Sequence, residues 1–503
     1  MMVRVRAPEL PQNNPWLNTE QPLSLKKLKG RIVILDFWTY CCINCLHILP
    51  DLKYLERKYK DSLTVIGVHS AKFDHEKDIE NIRQAILRYD IEHPVLVDSD
   101  FQVWQQYVAR AYPTFVVIDP EGYVIASLMG EGKRDVLEKL IQQIILQHQN
   151  KGTISLQELD VILEKQKQPL ITPLAFPGKV LATTSCLFIA DTGHHRIVVT
   201  TLEGNVLHLI GTGKSGLKDG NFTTAEFSAP QGMVFDNQNQ ILYVADTENH
   251  TLRKVDLQQQ LVKTIAGTGI QNRNLNLTQG NSLDTPLNSP WDLVKYENQV
   301  YIAMAGSHQI WMMDLESSII KNYAGTGAEA CFDGELEIAV FAQPSGITVN
   351  NKQLYVADSE SSSIRCIGLE TGKVTTICGS GDLYGFGDQD GIGEGVRLQH
   401  CLGIEYAQDN LWVADTYNHK IKLVNPTTRE CKTVFGNGAT GLQDSIDSVK
   451  FSEPSGLSIS GSNLYIADTN NHVIKHVNLN TLKVTTLKIS GLCAPYFCIP
   501  GSI

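Results

Sequence analysis

The second part of the chain repeats itself, and this repetition constrains the fold more than any other feature. From about residue 177, short strand-like segments alternate with turn residues. The segment 189–197, which reads IADTGHHRI, recurs in altered form near residues 244, 302, 358, 415 and 468. Six copies between residues 177 and 488 have about 52 residues each, enough for four short strands and their turns. Such units pack radially around an axis, so the sequence predicts a propeller with six blades.

A cluster of three cysteines marks the N-terminal part. Cys41, Cys42 and Cys45 follow the apolar, strand-like run 32–35, and helical spacing begins after them at residues 46–59. Cys42 is therefore expected at the start of a helix, where unpaired backbone N–H groups and the helix dipole stabilise a thiolate. A second thiol three residues further on can resolve a mixed disulfide. The spacing thus indicates dithiol chemistry.

Residues 1–150 alternate between strand and helix patterns, which predicts an α/β domain with a largely parallel sheet. The turn 120–122 should join the last two strands as a hairpin. Residues 151–170 are expected to form a helical linker, with a helix over 156–165, ahead of a propeller over 171–490 and a C-terminal tail over 491–503. Expected strands cover 63–69, 94–97, 114–118 and 123–128, and expected helices cover 78–88, 101–108 and 133–147.

Composition limits the possible partners and the compartment. The 503 residues carry a net charge of −11 with no basic run, which disfavours nucleic acid and anionic membranes as partners. No apolar stretch approaches the roughly 18–20 residues that span a bilayer, and the N-terminus lacks the apolar core of a secretory signal. Eleven cysteines are too sparse for a disulfide scaffold. We therefore expect a cytoplasmic protein with no membrane anchor, no metal and no cofactor.

The N-terminal domain resembles thioredoxin. The resemblance rests on the run Val33–Trp38, on the Cys-x-x-Cys that follows it and on Pro50. It implies that Cys42 attacks the substrate disulfide and that Cys45 releases the product. It also places Asp36 on the buried acid of that family, which helps to deprotonate the resolving thiol.

A second motif supports the same resemblance. Tyr112, Pro113 and Thr114 fall on the cis-proline loop of thioredoxins, which lies beside the dithiol and guides extended substrates. The resemblance therefore implies a catalytic role for Pro113 and substrate contacts for Tyr112, Thr114 and Trp38. Cys41 takes the place usually held by a tryptophan and is a possible accessory thiol.

The repeats resemble NHL repeats, because three of them contain the Asn-His pair at 249–250, 418–419 and 471–472. The whole chain is similar to NHL-repeat-containing thioredoxin-like proteins. This implies a multidomain α/β plus all-β chain, in which a thioredoxin-like fold precedes a six-bladed NHL propeller. The expected function is that of a thiol–disulfide oxidoreductase whose propeller binds a protein partner or a protein disulfide substrate.

Other functions stay open at this level. A non-catalytic interaction scaffold would keep the thioredoxin fold without its chemistry. A peroxidase reading of Thr39 to Cys42 lacks the proline that it needs at position 35, which is Leu35. The recurring Asp and His residues of the propeller could suggest a metal-dependent lyase, but their regular repetition favours a structural role in turns. The third copy has Met304 in place of the aspartate.

Overall fold

A computed structural model describes residues 4–155, 161–445 and 448–495. The chain divides into two compact units, Met1–Pro169 and Leu170–Ile503. The strands of the first unit are β1 Val5–Arg6, β2 Trp16–Leu17, β3 Ile32–Trp38, β4 Leu63–His69, β5 Val95–Val97, β6 Thr114–Ile118 and β7 Tyr123–Met129. Its helices are α1 Ile43–Lys58, α2 Ile79–Arg88, α3 Gln102–Gln106, α4 Arg134–Lys151 and α5 Glu164–Lys167, with a 3₁₀ turn at Asp74–Lys77.

The sheet of the first unit is mixed, with strand order β1-β7-β6-β3-β4-β5-β2. Only the β3–β4 and β4–β5 pairs are parallel, so the expectation of a largely parallel sheet is wrong. The helices α1 and α2 are true crossovers, but after β5 the chain stays at the same end of the sheet and β6 runs back beside β3. As a result Thr114, which begins β6, pairs with Phe37 near the end of β3. The expected hairpin of β6 and β7 is confirmed.

Both faces of the sheet are covered, which explains why every residue of β3 is buried. Val33, Leu35 and Phe37 belong to the core on one face. Ile32 and Ile34 pack on the other face against apolar residues of α1 and α4. Asp36 and Trp38 share this second face because side chains alternate along a strand.

Of the helix expected over 156–165, residues 156–160 lie outside the described residues. The described part is helical only at Glu164–Lys167. Glu164 binds within the first unit: its backbone N–H donates to Asn18 Oδ1 at 2.7 Å, and its carboxylate accepts from Arg83 Nε at 2.9 Å. The chain thus stays attached to the first unit up to this short helix.

The second unit contains six antiparallel sheets, which we call blades 1 to 6, and the predicted six-bladed propeller is confirmed. Blade 1 contains β8 Val180–Ala182, β9 Cys186–Asp191, β10 Arg196–Thr201 and β11 Val206–Ile210. Blade 2 contains β12 Gly220–Asn221, β13 Pro230–Asp236, β14 Ile241–Asp246, β15 Thr251–Asp256 and β16 Leu261–Ala266. Blade 3 contains β17 Gln279–Asn281, β18 Pro290–Tyr296, β19 Gln299–Met304, β20 Gln309–Asp314 and β21 Ile319–Ala324.

The remaining blades follow the same order. Blade 4 contains β22 Gly334–Glu335, β23 Pro344–Asn350, β24 Gln353–Asp358, β25 Ser363–Gly368 and β26 Lys373–Cys378. Blade 5 contains β27 Gly391–Ile392, β28 Gly403–Ala407, β29 Asn410–Asp415, β30 Lys420–Val424 and β31 Glu430–Phe435. Blade 6 contains β32 Pro454–Ser460, β33 Asn463–Asp468, β34 Val473–Asn478 and β35 Lys483–Thr486.

The recurring histidine joins five of the six blades to the next. In blade 4 Ser362 takes its place, and its hydroxyl oxygen accepts the N–H of His400 at 3.1 Å. In blade 2, His250 adopts a left-handed conformation with φ 52°, and its Nδ1 accepts the backbone N–H of Ser289 at 3.0 Å. The same bond connects the last blade to the first, because His472 Nδ1 accepts the N–H of Phe176 at 3.0 Å. Ser490, beyond the last strand, also forms a bridge with Asn205 of blade 1. The ring is therefore closed by the same bond that links its inner neighbours.

The recurring aspartate accepts a hydrogen bond from the backbone of the segment that leads into its blade. Asp246 Oδ1 accepts the N–H of Ser228 at 2.7 Å, and its Oδ2 binds Arg253, a fully buried side chain. Blade 3 has Met304 at the aspartate position and Trp311 seven residues later, where blades 2, 4, 5 and 6 have Arg or Lys. Both members of the buried ion pair are thus replaced together, which leaves no uncompensated charge.

Candidate active site

The cysteine cluster lies between β3 and α1. Cys42 is the N-cap residue of α1 and is partly exposed, and its carbonyl oxygen accepts the N–H groups of Cys45 at 3.0 Å and Leu46 at 3.2 Å. Cys45 lies inside the first turn and is completely buried. An approaching disulfide can therefore reach the Cys42 sulfur first, and that sulfur faces the positive end of the helix dipole.

The proton stays on the inner sulfur. Burial raises the pKa of Cys45 well above its ordinary value, and the neighbouring Cys42 sulfur and the Asp36 carboxyl raise it further. Cys45 can therefore act as a nucleophile only when a nearby group accepts its proton. This asymmetry between an accessible sulfur and a buried one suits sequential attack and resolution.

Asp36 is the buried acid nearest this step. It lies on the face of β3 that α1 covers and is completely buried. Neither carboxylate oxygen has a hydrogen-bond partner among the described residues. Burial raises the pKa of Asp36 to about 7, with His93 opposing and Glu56 adding to the rise. A carboxylate with this pKa can accept a proton near neutral pH.

Glu76 anchors the cysteine loop, and nothing in the sequence pattern singles it out. Its Oε1 accepts the hydroxyl of Thr39 at 2.6 Å and the N–H of Cys41 at 3.0 Å. Its Oε2 accepts the N–H groups of Lys72 and Phe73, both at 2.9 Å. This fully buried carboxylate thus joins the loop before α1 to the segment after β4. The Cys41 sulfur is also buried, 3.7 Å from the Thr39 hydroxyl.

The proline loop lies at the same end of the sheet. The Tyr112–Pro113 peptide bond is cis, and Pro113 precedes β6 directly. Burial raises the pKa of Tyr112, as do the charges of Glu76 and the three clustered cysteines, so its ring lies close to the dithiol. The Tyr112 hydroxyl donates to the carbonyl oxygen of Ser70 at 2.7 Å.

Two of the expected substrate contacts, Trp38 and Thr114, have buried side chains. Trp38 has no exposed surface, because it faces the sheet interior and its ring meets His69 edge-on with centroids 5.0 Å apart. Thr114 is only 1% exposed, and its hydroxyl donates to the carbonyl oxygen of Ala111 at 2.7 Å. β6 also has β3 and β7 on its two sides, so its backbone is already paired. Tyr112 keeps partial exposure and stays a predicted substrate contact.

One side-chain group in the described chain has the spacing of a metal site. It consists of Asp119, Glu121 and His148. Arg4 Nη2 binds Asp119 at 2.7 Å and Glu121 at 3.0 Å, and His148 Nδ1 lies 2.7 Å from Thr153 Oγ1. The two carboxylates therefore already have a cation of the protein between them.

The propeller axis carries a buried ion pair. Lys179 of blade 1 and Asp292 of blade 3 occupy equivalent inner positions, and Lys179 Nζ lies 2.9 Å from Asp292 Oδ2. The equivalent positions of the other blades are glycines: Gly232, Gly346, Gly403 and Gly456. Glu405 faces the same region, where burial and the charge of Asp292 raise its pKa to about 8. Small residues at four positions leave room for two long side chains to meet at the axis.

The chain is similar to known proteins across both units. Residues 30–124 match a family model described as Thioredoxin-like, and residues 227–255 and 341–367 match one described as NHL repeat. NHL repeat-containing protein 2 of Homo sapiens is 43% identical over 523 residues, which cover 96% of this chain and 71% of that protein. The chain belongs to the NHL repeat-containing protein 2 family. The predicted family and the predicted fold class are thereby confirmed.

Other relatives share the whole chain or only its first unit. Protein SUPPRESSOR OF QUENCHING 1, chloroplastic, of Arabidopsis thaliana is 44% identical over 513 residues, with 97% of this chain and 48% of that protein covered. The chain thus spans about half the length of this plant relative. Thiol-disulfide oxidoreductase YkuV of Bacillus subtilis is 27% identical over 146 residues, with 29% of this chain and 97% of that protein covered. In the described part of the chain, no helix is both long and apolar enough to cross a bilayer.

Proposed function

We propose that the first unit is a thiol–disulfide oxidoreductase in which Cys42 attacks and Cys45 resolves. The observation that carries the proposal is the contrast between the two sulfurs, since Cys42 is partly exposed at a helix N-cap and Cys45 is completely buried one turn further in. The similarity of this unit to thiol-disulfide oxidoreductase YkuV supports the same chemistry.

The reaction proceeds in two exchanges. The Cys42 thiolate attacks one sulfur of the substrate disulfide, which forms a mixed disulfide and expels the other substrate sulfur as a thiolate. Cys45 then loses its proton to Asp36 and attacks the Cys42 sulfur, which expels the second substrate thiolate. The protein ends with a Cys42–Cys45 disulfide, and the substrate gains two electrons. An external dithiol restores the reduced protein, or the steps run in reverse to oxidise a dithiol substrate.

The propeller, over residues 171–490, is proposed to bind the protein that carries the substrate disulfide. Its blades form a rigid ring whose loops offer a broad surface, which suits a protein partner better than a small molecule. We also propose a reducing compartment, the cytoplasm. Nine of the ten described cysteines carry thiols, which supports that compartment, and the tenth, Cys493, is disulfide-bonded.

A trapping experiment with the full chain tests the proposal. Cys45→Ser should accumulate a mixed disulfide between Cys42 and its protein partner, and Cys42→Ser should accumulate none. Cys186→Ser removes a partly buried thiol of the propeller and should behave as the wild type. A redox titration in glutathione buffers should give a Cys42–Cys45 disulfide, detected by mass. Failure of this disulfide to form at any glutathione ratio would rule out the dithiol mechanism.

The scaffold function is the second candidate, and burial of the expected substrate contacts favours it. Trp38 and Thr114 cannot touch a bound peptide through their side chains, so the docking surface near the dithiol is smaller than the resemblance implies. A scaffold predicts partner binding that is unchanged in Cys42→Ser. An oxidoreductase predicts that the covalent complex is lost in that variant.

A further inference from the structure

Gly67 of β4 has no side chain, and several polar groups meet beside Asp36 in the space that this glycine leaves. Gly67 pairs with Asp36 in the parallel register of β3 and β4. A Cβ on Gly67 would lie 2.8 Å from Trp38 Nε1 and 3.2 Å from His93 Nε2. The indole and the imidazole therefore occupy the space that any larger residue at position 67 would fill.

These groups have no hydrogen-bond partners among the described residues. Both Asp36 oxygens, Trp38 Nε1 and His93 Nε2 are buried and unpartnered there. Burying a polar group without a hydrogen-bond partner is unfavourable, so a set of such groups beside one glycine needs a reason. A carboxyl that gains and loses a proton in each catalytic cycle is such a reason, because it needs neighbours that can take that proton.

His93 connects this buried space to the surface. Its Nδ1 lies 3.3 Å from Glu56 Oε2, and the Glu56 side chain is 23% exposed whereas that of His93 is 3% exposed. Both residues line a cavity of about 220 Å³, together with Lys53, Arg57 and Glu92. The ring thus has Nε2 beside Gly67, the residue that pairs with Asp36, and Nδ1 toward a carboxylate that reaches solvent.

The charges around His93 favour proton uptake. Burial of the ring opposes protonation, but Glu56, Asp36 and Glu92 together raise the pKa of His93 above its ordinary value. Lys53 of α1 also lines the cavity and binds Glu92 at 3.3 Å. Asp36 has a pKa of about 7, so the carboxyl and the imidazole can exchange a proton near neutral pH.

We propose that His93 and Glu56 form a proton relay between Asp36 and the solvent-lined cavity, an inference that rests on the proposed function. When Cys45 attacks Cys42, its proton passes to Asp36. The proton moves on to His93 Nε2 when the Asp36 carboxyl and the imidazole come within hydrogen-bond distance. His93 then releases the proton on its Nδ1 toward Glu56 and the cavity, and Asp36 is again a carboxylate. His93 does not touch the substrate. It therefore acts as a positioning residue that accepts the proton from Asp36 and releases another toward Glu56.

A two-phase thiol assay separates the relay from the function itself. The probe is the aromatic disulfide 5,5′-dithiobis(2-nitrobenzoate). It is added to the reduced full chain in which serine replaces the partly buried propeller thiols Cys186 and Cys331 and the cysteines at 493 and 498. Attack by Cys42 releases the first coloured thiolate, and resolution by Cys45 releases the second. His93→Gln should leave the first release unchanged and slow the second roughly tenfold to 10²-fold, within the usual range for acid–base catalysis.

A second readout and a second variant complete the test. Because His93 lowers the pKa of Asp36, His93→Gln should shift the infrared titration of the buried carboxyl to higher pH. Glu56→Gln lies nearer the surface and should slow the second release to a value between wild type and His93→Gln, which tests the relay if His93→Gln fails to fold. His47→Gln removes the other His–Glu pair of α1, 2.8 Å long, and should change neither phase.

The outcomes are distinct. A second release that is equal in wild type, His93→Gln and Glu56→Gln over the pH range would overturn the relay and leave the oxidoreductase intact. If the chain that keeps Cys42, Cys45, His93 and Glu56 released neither coloured thiolate, the proposed function would be overturned instead.

Discussion

The buried carboxyl of Asp36 should make the first unit less stable as the pH rises. Its pKa in the folded chain is about 7, against 3.8 for an exposed aspartate. Between these values the folded state binds more protons than the unfolded state, so the free energy of unfolding falls with rising pH. The stability that the Asp36 carboxyl contributes is present in full below about pH 3.8 and is lost above about pH 7. The total change in the free energy of unfolding is about 4 kcal/mol.

Asp36→Asn should remove this dependence, because the amide keeps the size of the protonated acid and carries no charge. At about pH 8 we expect the variant to be more stable than the wild type by up to about 4 kcal/mol, and at about pH 4.5 the gain should fall to about 1 kcal/mol. The stability of this unit can be measured by urea titration with the circular dichroism signal of α-helices as the readout, because all five α-helices of the described chain lie in it.

Asp135→Asn is the matched control, since its side chain is 81% exposed on α4 and should change little at either pH. An equal effect of Asp36→Asn at both pH values would refute the reasoning that the carboxyl is buried without compensation. The same variant should also slow resolution by Cys45, because the nearest proton acceptor is lost.

Three further predictions concern stability. Glu76→Ala leaves four donors, three of them buried, without their acceptor and should lower the free energy of unfolding by about 3 kcal/mol or more in the same urea assay, whereas Glu76→Gln should cost less. Asp292→Gly leaves the charge of Lys179 without its carboxylate at the propeller axis and should lower the free energy of unfolding by about 3–5 kcal/mol. The double variant with Lys179→Gly should recover much of that loss, as measured by thermal unfolding. His472→Ala should lower the propeller Tm about as much as His308→Ala, since each breaks one bond of about 1 kcal/mol between blades; a far smaller effect at His472 would show that the ring does not depend on that bond.

Local sequence patterns predict much of the fold. The repeats predict the number of blades, because each copy must bury one face against the next. The change from strand to helix around Cys42 is also local, so the N-cap position follows from the spacing of apolar residues.

The groups that tune the site are not local. Glu76 and His93 reach the cysteines and Asp36 from segments that follow β4 and precede β5, and their sequence neighbours give no sign of this. The strand directions also escaped prediction, since the same helix-strand alternation is compatible with β6 running either way. The burial of Trp38 depends on Gly67 in a different strand, so its own position after an apolar run is not informative.

Closure of the ring through His472 and Phe176 has a consequence for synthesis. Phe176 is made before any of the blades, whereas His472, the partner of its N–H group, belongs to the sixth blade. Blade 1 must therefore keep an open edge until the sixth blade has been made. The thioredoxin-like unit, in contrast, has all its described elements before blade 1 begins. Nascent chains that stall within the later repeats should expose this edge and depend on chaperones.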